Sequence, residues 1–112
     1  MPRSAHTRAD SKASATLFAA LGDPTRLGIV SRLSDGPMSI TGLTAGSRVT
    51  RQAITKHLRV LEGARLIHGT RHGRERIWQL ERQRLEDARR YLDQISLHWD
   101  RALGRLRQLV DE

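Results

Sequence analysis

The 112 residues contain no cysteine. That excludes disulfides and thiolate metal sites, and it fits a reducing, cytoplasmic setting. Long apolar runs are also missing. The longest, "LFAAL", has five residues, whereas a membrane-spanning helix needs about 20, so no membrane partner is expected. Arg3, Arg8 and Lys12 ahead of this run superficially resemble a signal peptide. The apolar part is too short for one, and no convincing small-residue cleavage site follows. Aromatic residues are scarce, with one Phe, one Tyr and two Trp, fewer than stacking on RNA bases wants. Asp23, Ser47 and His57 are scattered and show no catalytic spacing, so an enzyme is not expected. Lys12 and Lys56 are the only lysines among 20 basic residues. The arginine fork suits phosphates and guanine edges; a GC-rich genome is the blander explanation for the bias.

Positive charge is present in excess, net +8, and its placement is uneven. Residues 48–76 carry eight basic groups against Glu62 and Glu75, a net +6. Residues 1–12 carry +2, while residues 13–47 and 77–112 are each neutral. A basic block beside neutral elements points to a polyanion, most often nucleic acid. The length suits one domain, and its modest core would be helped by oligomerisation.

Along the chain, "MPRSAHTRADSK" is polar and aperiodic, which reads as a flexible basic arm over residues 1–12. A short helix is expected from Ala13 to Leu21. Asp23 is a good N-cap with Pro24 in the first turn, opening a second helix with Leu27, Val30 and Leu33 inward. Gly36 and Pro37 end it. Ser39 can cap a short third helix, weak in propensity because of Gly42, Thr44 and Gly46. Thr50 caps a fourth helix whose Ile54, Leu58 and Leu61 form a buried stripe. Leu66–Thr70 and Arg76–Leu80 read as two strands with Gly73 in the turn. From about Arg82 to Leu109 one long helix is expected, with Leu85, Leu92, Ile95, Trp99, Leu103, Leu106 and Val110 on one stripe. The fold class is therefore mainly α with a small β-hairpin, a winged helix-turn-helix over residues 13–112.

The segments "ALGDPTRLGIVSRL", "AITKHLRVLEGARLI" and "RHGRERIWQL" resemble the ArsR/SmtB-type winged-helix repressor family, over about residues 15 to 110. Where the family usually reads Ser-x-His-Leu-x-x-Leu, Thr55 stands for the Ser. The resemblance implies a homodimeric repressor on a palindromic operator, with the first and last helices at the dimer interface, Leu17 and Phe18 included. The chain departs from the pattern in having no cysteines in "SITGLTAGS". Asp93, His98 and Asp100 on the last helix form no recognisable ligand shell, so no metal or other cofactor is expected. Arg48 and Arg65 stand where the family often has Gly. Either they adopt positive φ or they serve as phosphate contacts.

With the stripe of the fourth helix inward, Thr50, Arg51, Gln52, Thr55, Lys56 and Arg59 project outward. Arg51 and Gln52, in the first turn, are placed to read bases in double-stranded DNA, and Lys56 and Arg59 suit phosphates. His57 sits between faces, as a packing residue or a DNA contact. Arg71, His72, Arg74 and Arg76 form a basic wing. On the last helix the stripe is too long for this domain to cover, which makes Leu92, Ile95, Trp99, Leu103 and Leu106 a dimer interface. The function expected is sequence-specific transcriptional repression. The alternatives are a non-specific nucleoid-type DNA binder and a winged-helix module for RNA or protein. No feature names an effector.

Overall fold

The computed structural model describes residues 3–111, with side chains from residue 11 onward. The elements run α1 (Arg3–Leu21), α2 (Pro24–Leu33), β1 (Met38–Ser39), α3 (Ile40–Thr44), α4 (Arg51–Gly63), β2 (Ile67–His72), β3 (Glu75–Leu80) and α5 (Arg82–Asp111). Three side-chain caps start helices where the sequence places them. Asp23 accepts from the Arg26 backbone N–H at 3.0 Å, Ser39 from Gly42 at 3.1 Å and Thr50 from Ala53 at 3.1 Å. The wing is the expected hairpin. β2 and β3 pair antiparallel with Arg71 opposite Arg76, and Gly73 turns at φ 63°.

The structure differs from expectation in four places. α1 begins at Arg3, not near Ala13; Met1 and Pro2 lie outside the described residues. Neither Gly nor Pro interrupts Arg3–Leu21, and its six alanines favour helix without an apolar stripe. β1 is an addition. It pairs with β3, Met38 opposite Trp78, giving the sheet order β1-β3-β2. Leu27 does not face the core and is 51% exposed. Ile29 and Leu33, one turn apart, take the inward positions of α2, and Leu27 lies about 200° round the helix from Ile29. Finally, Arg48 has no positive φ, whereas Arg65 does, at 62°.

The core gathers Leu17, Ile29, Leu33, Leu43, Ile54, Leu58, Leu61, Leu66, Ile67 and Trp78. Each fully buried aliphatic side chain contributes roughly 1.5–3 kcal/mol relative to exposure. The stripe Ile54–Leu58–Leu61 thereby fixes which side of α4 faces out. The radius of gyration, 18.6 Å, exceeds the roughly 13 Å of a compact chain of this length. One cause is α5, whose 30 residues span about 45 Å and reach past the core.

Arg65 owes its unusual backbone to the way α4 stops. Its N–H donates to the Glu62 carbonyl at 2.9 Å, and the Leu66 N–H donates to the Leu61 carbonyl at 3.0 Å. This paired pattern closes a helix through a left-handed residue, with Leu61 and Leu66 packed together beneath it. The left-handed position costs a side-chain-bearing residue about 1 kcal/mol. Arg65→Gly is therefore expected to raise stability by up to about 1 kcal/mol, read as a higher urea midpoint; a lower midpoint would contradict this account of the turn.

Candidate nucleic-acid interface

The turn between α3 and α4 sets the geometry of the site. Gly46 takes φ 72°, and the Ser47 hydroxyl accepts from the Val49 N–H at 3.0 Å. α3, poor in helix formers, is held at its far end by Arg32. That guanidinium donates to the Leu43 carbonyl at 2.7 Å and the Gly42 carbonyl at 2.8 Å. Arg51 reaches back to the Thr41 hydroxyl at 3.5 Å, linking the first turn of α4 to α3.

Thr50, Arg51, Gln52, Lys56 and Arg59 are exposed, and Thr55 is half-buried. The Thr55 hydroxyl donates to the Arg51 carbonyl at 2.9 Å, so only its lone pairs face outward. Thr50 uses a lone pair for its cap and keeps its O–H. Arg48 and Arg65 are both exposed, flanking the helix at its two ends.

His57 is resolved by its partners. Arg26 Nη1 lies 3.2 Å from His57 Nδ1. A guanidinium cannot accept, so in this contact Nδ1 accepts and Nε2 carries the N–H. The half-buried ring thus packs α4 against α2, and only the Nε2–H is left for a further contact. Arg26 also donates through Nε to the Ala20 carbonyl at 2.5 Å and through Nη2 to Ala19 at 3.5 Å, closing the end of α1. The "DPTR" segment is therefore a junction of three helices. The Arg26 backbone N–H holds the Asp23 carboxyl below its usual range, and the nearby Arg26 charge acts the same way. A lowered value means this cap stabilises above the ordinary aspartate range and is lost as pH falls through the lowered one.

In the wing, residues 71–76 are all exposed. Gly69, Arg71, Arg74, Glu75 and Arg76 surround a notch of about 300 Å³. Arg76 is the least available of the four predicted wing residues. Its guanidinium lies 5.0 Å over Trp78 and 3.3 Å from the Glu62 carboxylate. A Cβ at Gly69 would collide with the Arg76 side chain, so Gly69 is what lets Arg76 fold across the strands. Arg71, His72 and Arg74 lie around the tip.

The expected dimer residues divide. Leu17 is 1% exposed within its own chain and is taken up by the core, so it is not available to a partner. Phe18 is half-buried, its ring 5.9 Å from Tyr91 of α5. Leu92, Ile95, Trp99, Leu103 and Leu106 are exposed, Trp99 at 63%. Among the described residues, no three His, Asp or Glu side chains gather where a metal could bind. No helix among the described residues is long and apolar enough to cross a membrane. Sequence reasoning missed Arg26, Arg32 and Arg84. Their only signal was that arginine recurred in segments with no net charge.

A capped helix after a tight turn, a basic outer face and a hairpin behind it define a winged helix-turn-helix. The comparisons agree. A family described as "Helix-turn-helix domain" matches residues 21–70. The HTH-type transcriptional regulator Rv2034 of Mycobacterium tuberculosis is 40% identical over 92 residues, 82% of this chain and 83% of that protein. A transcriptional repressor SmtB homolog of Synechocystis is 35% identical over 66 residues, 59% of this chain and 50% of that protein. The structure of an ArsR-like transcriptional regulator from Rhodococcus sp. RHA1 matches with a TM-score of 0.79 at 34% identity, covering 88% of this chain and 93% of that one. The chain belongs to the ArsR/SmtB-type family of winged helix-turn-helix, DNA-binding transcriptional regulators.

The junction makes a prediction of its own. Arg26→Gln removes a charged donor from the end of α1 and from His57, and is expected to cost about 2 kcal/mol. Chemical denaturation checks this; an unchanged midpoint would mean that Arg26 is incidental to the junction.

Proposed function

We propose that this regulator is a homodimeric repressor that binds a palindromic operator. α4 reads bases in the major groove, and the wing tip lies along the phosphates or in the adjacent minor groove. The observation that carries this is the outward face of α4. Its apolar stripe is wholly buried, so Arg51 and Gln52 are exposed in the first turn, the part of a reading helix that approaches base edges. Arg51 suits guanine O6 and N7, and Gln52 suits adenine N6 and N7. Thr50, Thr55, Lys56, Arg59, Arg71, His72 and Arg74 serve the backbone, joined by the Nε2–H of His57 and, less directly, by Arg76. The neutral segments around a basic block favour DNA over a generally basic surface.

The dimer reading rests on α5. Leu85 and Ala88, on its N-terminal turns, are packed inside the chain, while the same stripe continues uncovered through Leu92, Ile95, Trp99, Leu103 and Leu106. A second copy using the same surface covers it by two-fold symmetry. Two reading helices then face half-sites about 34 Å apart, one turn of DNA. A repressor acts by occupying such a site. Residues 3–10 continue α1 as a basic extension of this domain. As a DNA-binding regulator it meets its operator in the cytoplasm.

Three experiments test this reading. Selection of bound fragments from the organism's genome should return a palindrome, preferred by about 10³-fold over random DNA; equal binding to all fragments would instead make this a nucleoid-type protein. Within a binding series, Arg51→Ala or Gln52→Ala should relax preference at single base pairs by about 1–3 kcal/mol. Arg74→Ala should weaken every sequence alike and lower the salt slope by roughly one. Trp99→Asp should give a monomer in sedimentation, and a dimer that survived it would remove α5 from the interface.

A further inference from the structure

A groove of about 350 Å³ lies between α1 and α5, away from the DNA-reading face. Ala13 of α1 and Arg84, Asp87, Arg90, Tyr91 and Gln94 of α5 line it. Arg84 is the most buried of these charged groups and has three engagements. Nε donates to the Ala64 carbonyl at 3.2 Å, Nη2 donates to the Ala13 carbonyl at 3.2 Å, and Nη1 lies 3.7 Å from the Asp87 carboxylate. Asp87 also accepts from Arg90 at 3.0 Å. Two guanidinium groups against one carboxylate leave the groove a net positive charge. The Tyr91 ring and the Ala13 methyl supply apolar wall.

We propose that this groove is an effector site for a small organic carboxylate, and that the bound anion competes with Asp87 and Ala13 for Arg84. Asp87 already occupies the place of one such carboxylate, and the unpaired charge makes room for another. Ala64 is the C-cap of α4, so Arg84 ties the groove directly to the end of the reading helix. An anion that draws Arg84 inward lengthens that tie and lowers DNA affinity. The groove face of α5 lies roughly a third of a turn from the Leu92–Ile95–Trp99 stripe, and its Tyr91 packs on Phe18 of α1. The coupling, though not the binding, rests on the reading of α4 as the DNA-contacting helix.

The test uses the full chain and sodium benzoate, with sodium chloride of equal ionic strength as the blank. Calorimetry should show saturable binding. Arg90→Gln should weaken it about tenfold, and Asp87→Asn, which removes the internal competitor, should strengthen it. Saturating benzoate should lower affinity for a selected genomic fragment at least fivefold. Arg84→Lys, which keeps the charge but lacks the Nε–H, should bind benzoate and lose that effect. Absence of saturable binding, or one affinity for wild type, Arg90→Gln and Asp87→Asn, would overturn the site. Benzoate binding with unchanged DNA affinity would overturn the coupling. A wild type that binds no DNA would refute the reading of α4, and calorimetry would still decide the groove.

Discussion

A helix leaves carbonyls without partners at its C-terminal end, and when that end is packed against another helix water cannot supply them all. Much of this domain follows from how those carbonyls are satisfied. Arg26 closes α1 through Ala20 and Ala19. Arg32 closes α3 through Leu43 and Gly42. Arg84 meets Ala64 at the end of α4. In each case the guanidinium comes from a different helix, so closing one helix fixes the place of its neighbour. A lysine could not do the same, because three donors on one nitrogen do not fork to two carbonyls in a plane.

Two groups of arginines in this chain differ sharply in setting. Arg26, Arg32 and Arg84 point inward to backbone oxygens, in segments whose charge is otherwise balanced. Arg48, Arg51, Arg59, Arg65, Arg71 and Arg74 lie exposed within the basic block. Composition alone cannot separate the two. Local charge balance distinguishes these two groups, although most arginines of the neutral α5 are simply exposed; an arginine that serves the fold has no need of basic neighbours, while one that serves a polyanion gains from them.

What the sequence disclosed was what a local rule governs. Asp23, Ser39 and Thr50 cap because short polar side chains reach the next turn's N–H groups. Ile54, Leu58 and Leu61 are inside because their spacing leaves them no other common face. Arg51 and Gln52 then fall outside by the same geometry. What stayed hidden depends on residues far apart in the chain. β1 is two residues long and exists only by pairing with Trp78 and Ile77. The role of His57 depended on Arg26, 31 residues away. Leu17 looked available until the core around it was assembled. The α1–α5 groove joins residues some seventy positions apart. Leu27 misled because two inward registers were open to α2, and Ile29 with Leu33 won.

The small strand β1 has a consequence for how this protein handles its target. It runs straight into α3 and is hydrogen-bonded to β3, the returning strand of the wing. At the other end, the closed turn at Arg65 fixes the exit of α4 into β2. The helix-turn-helix and the wing are therefore clamped at both ends, and neither can swing without the other. The spacing between the outward face of α4 and the wing tip is set by these two connections. Adaptation to a new target must then come from exchanging side chains on a stiff frame, or from bending the duplex to meet it.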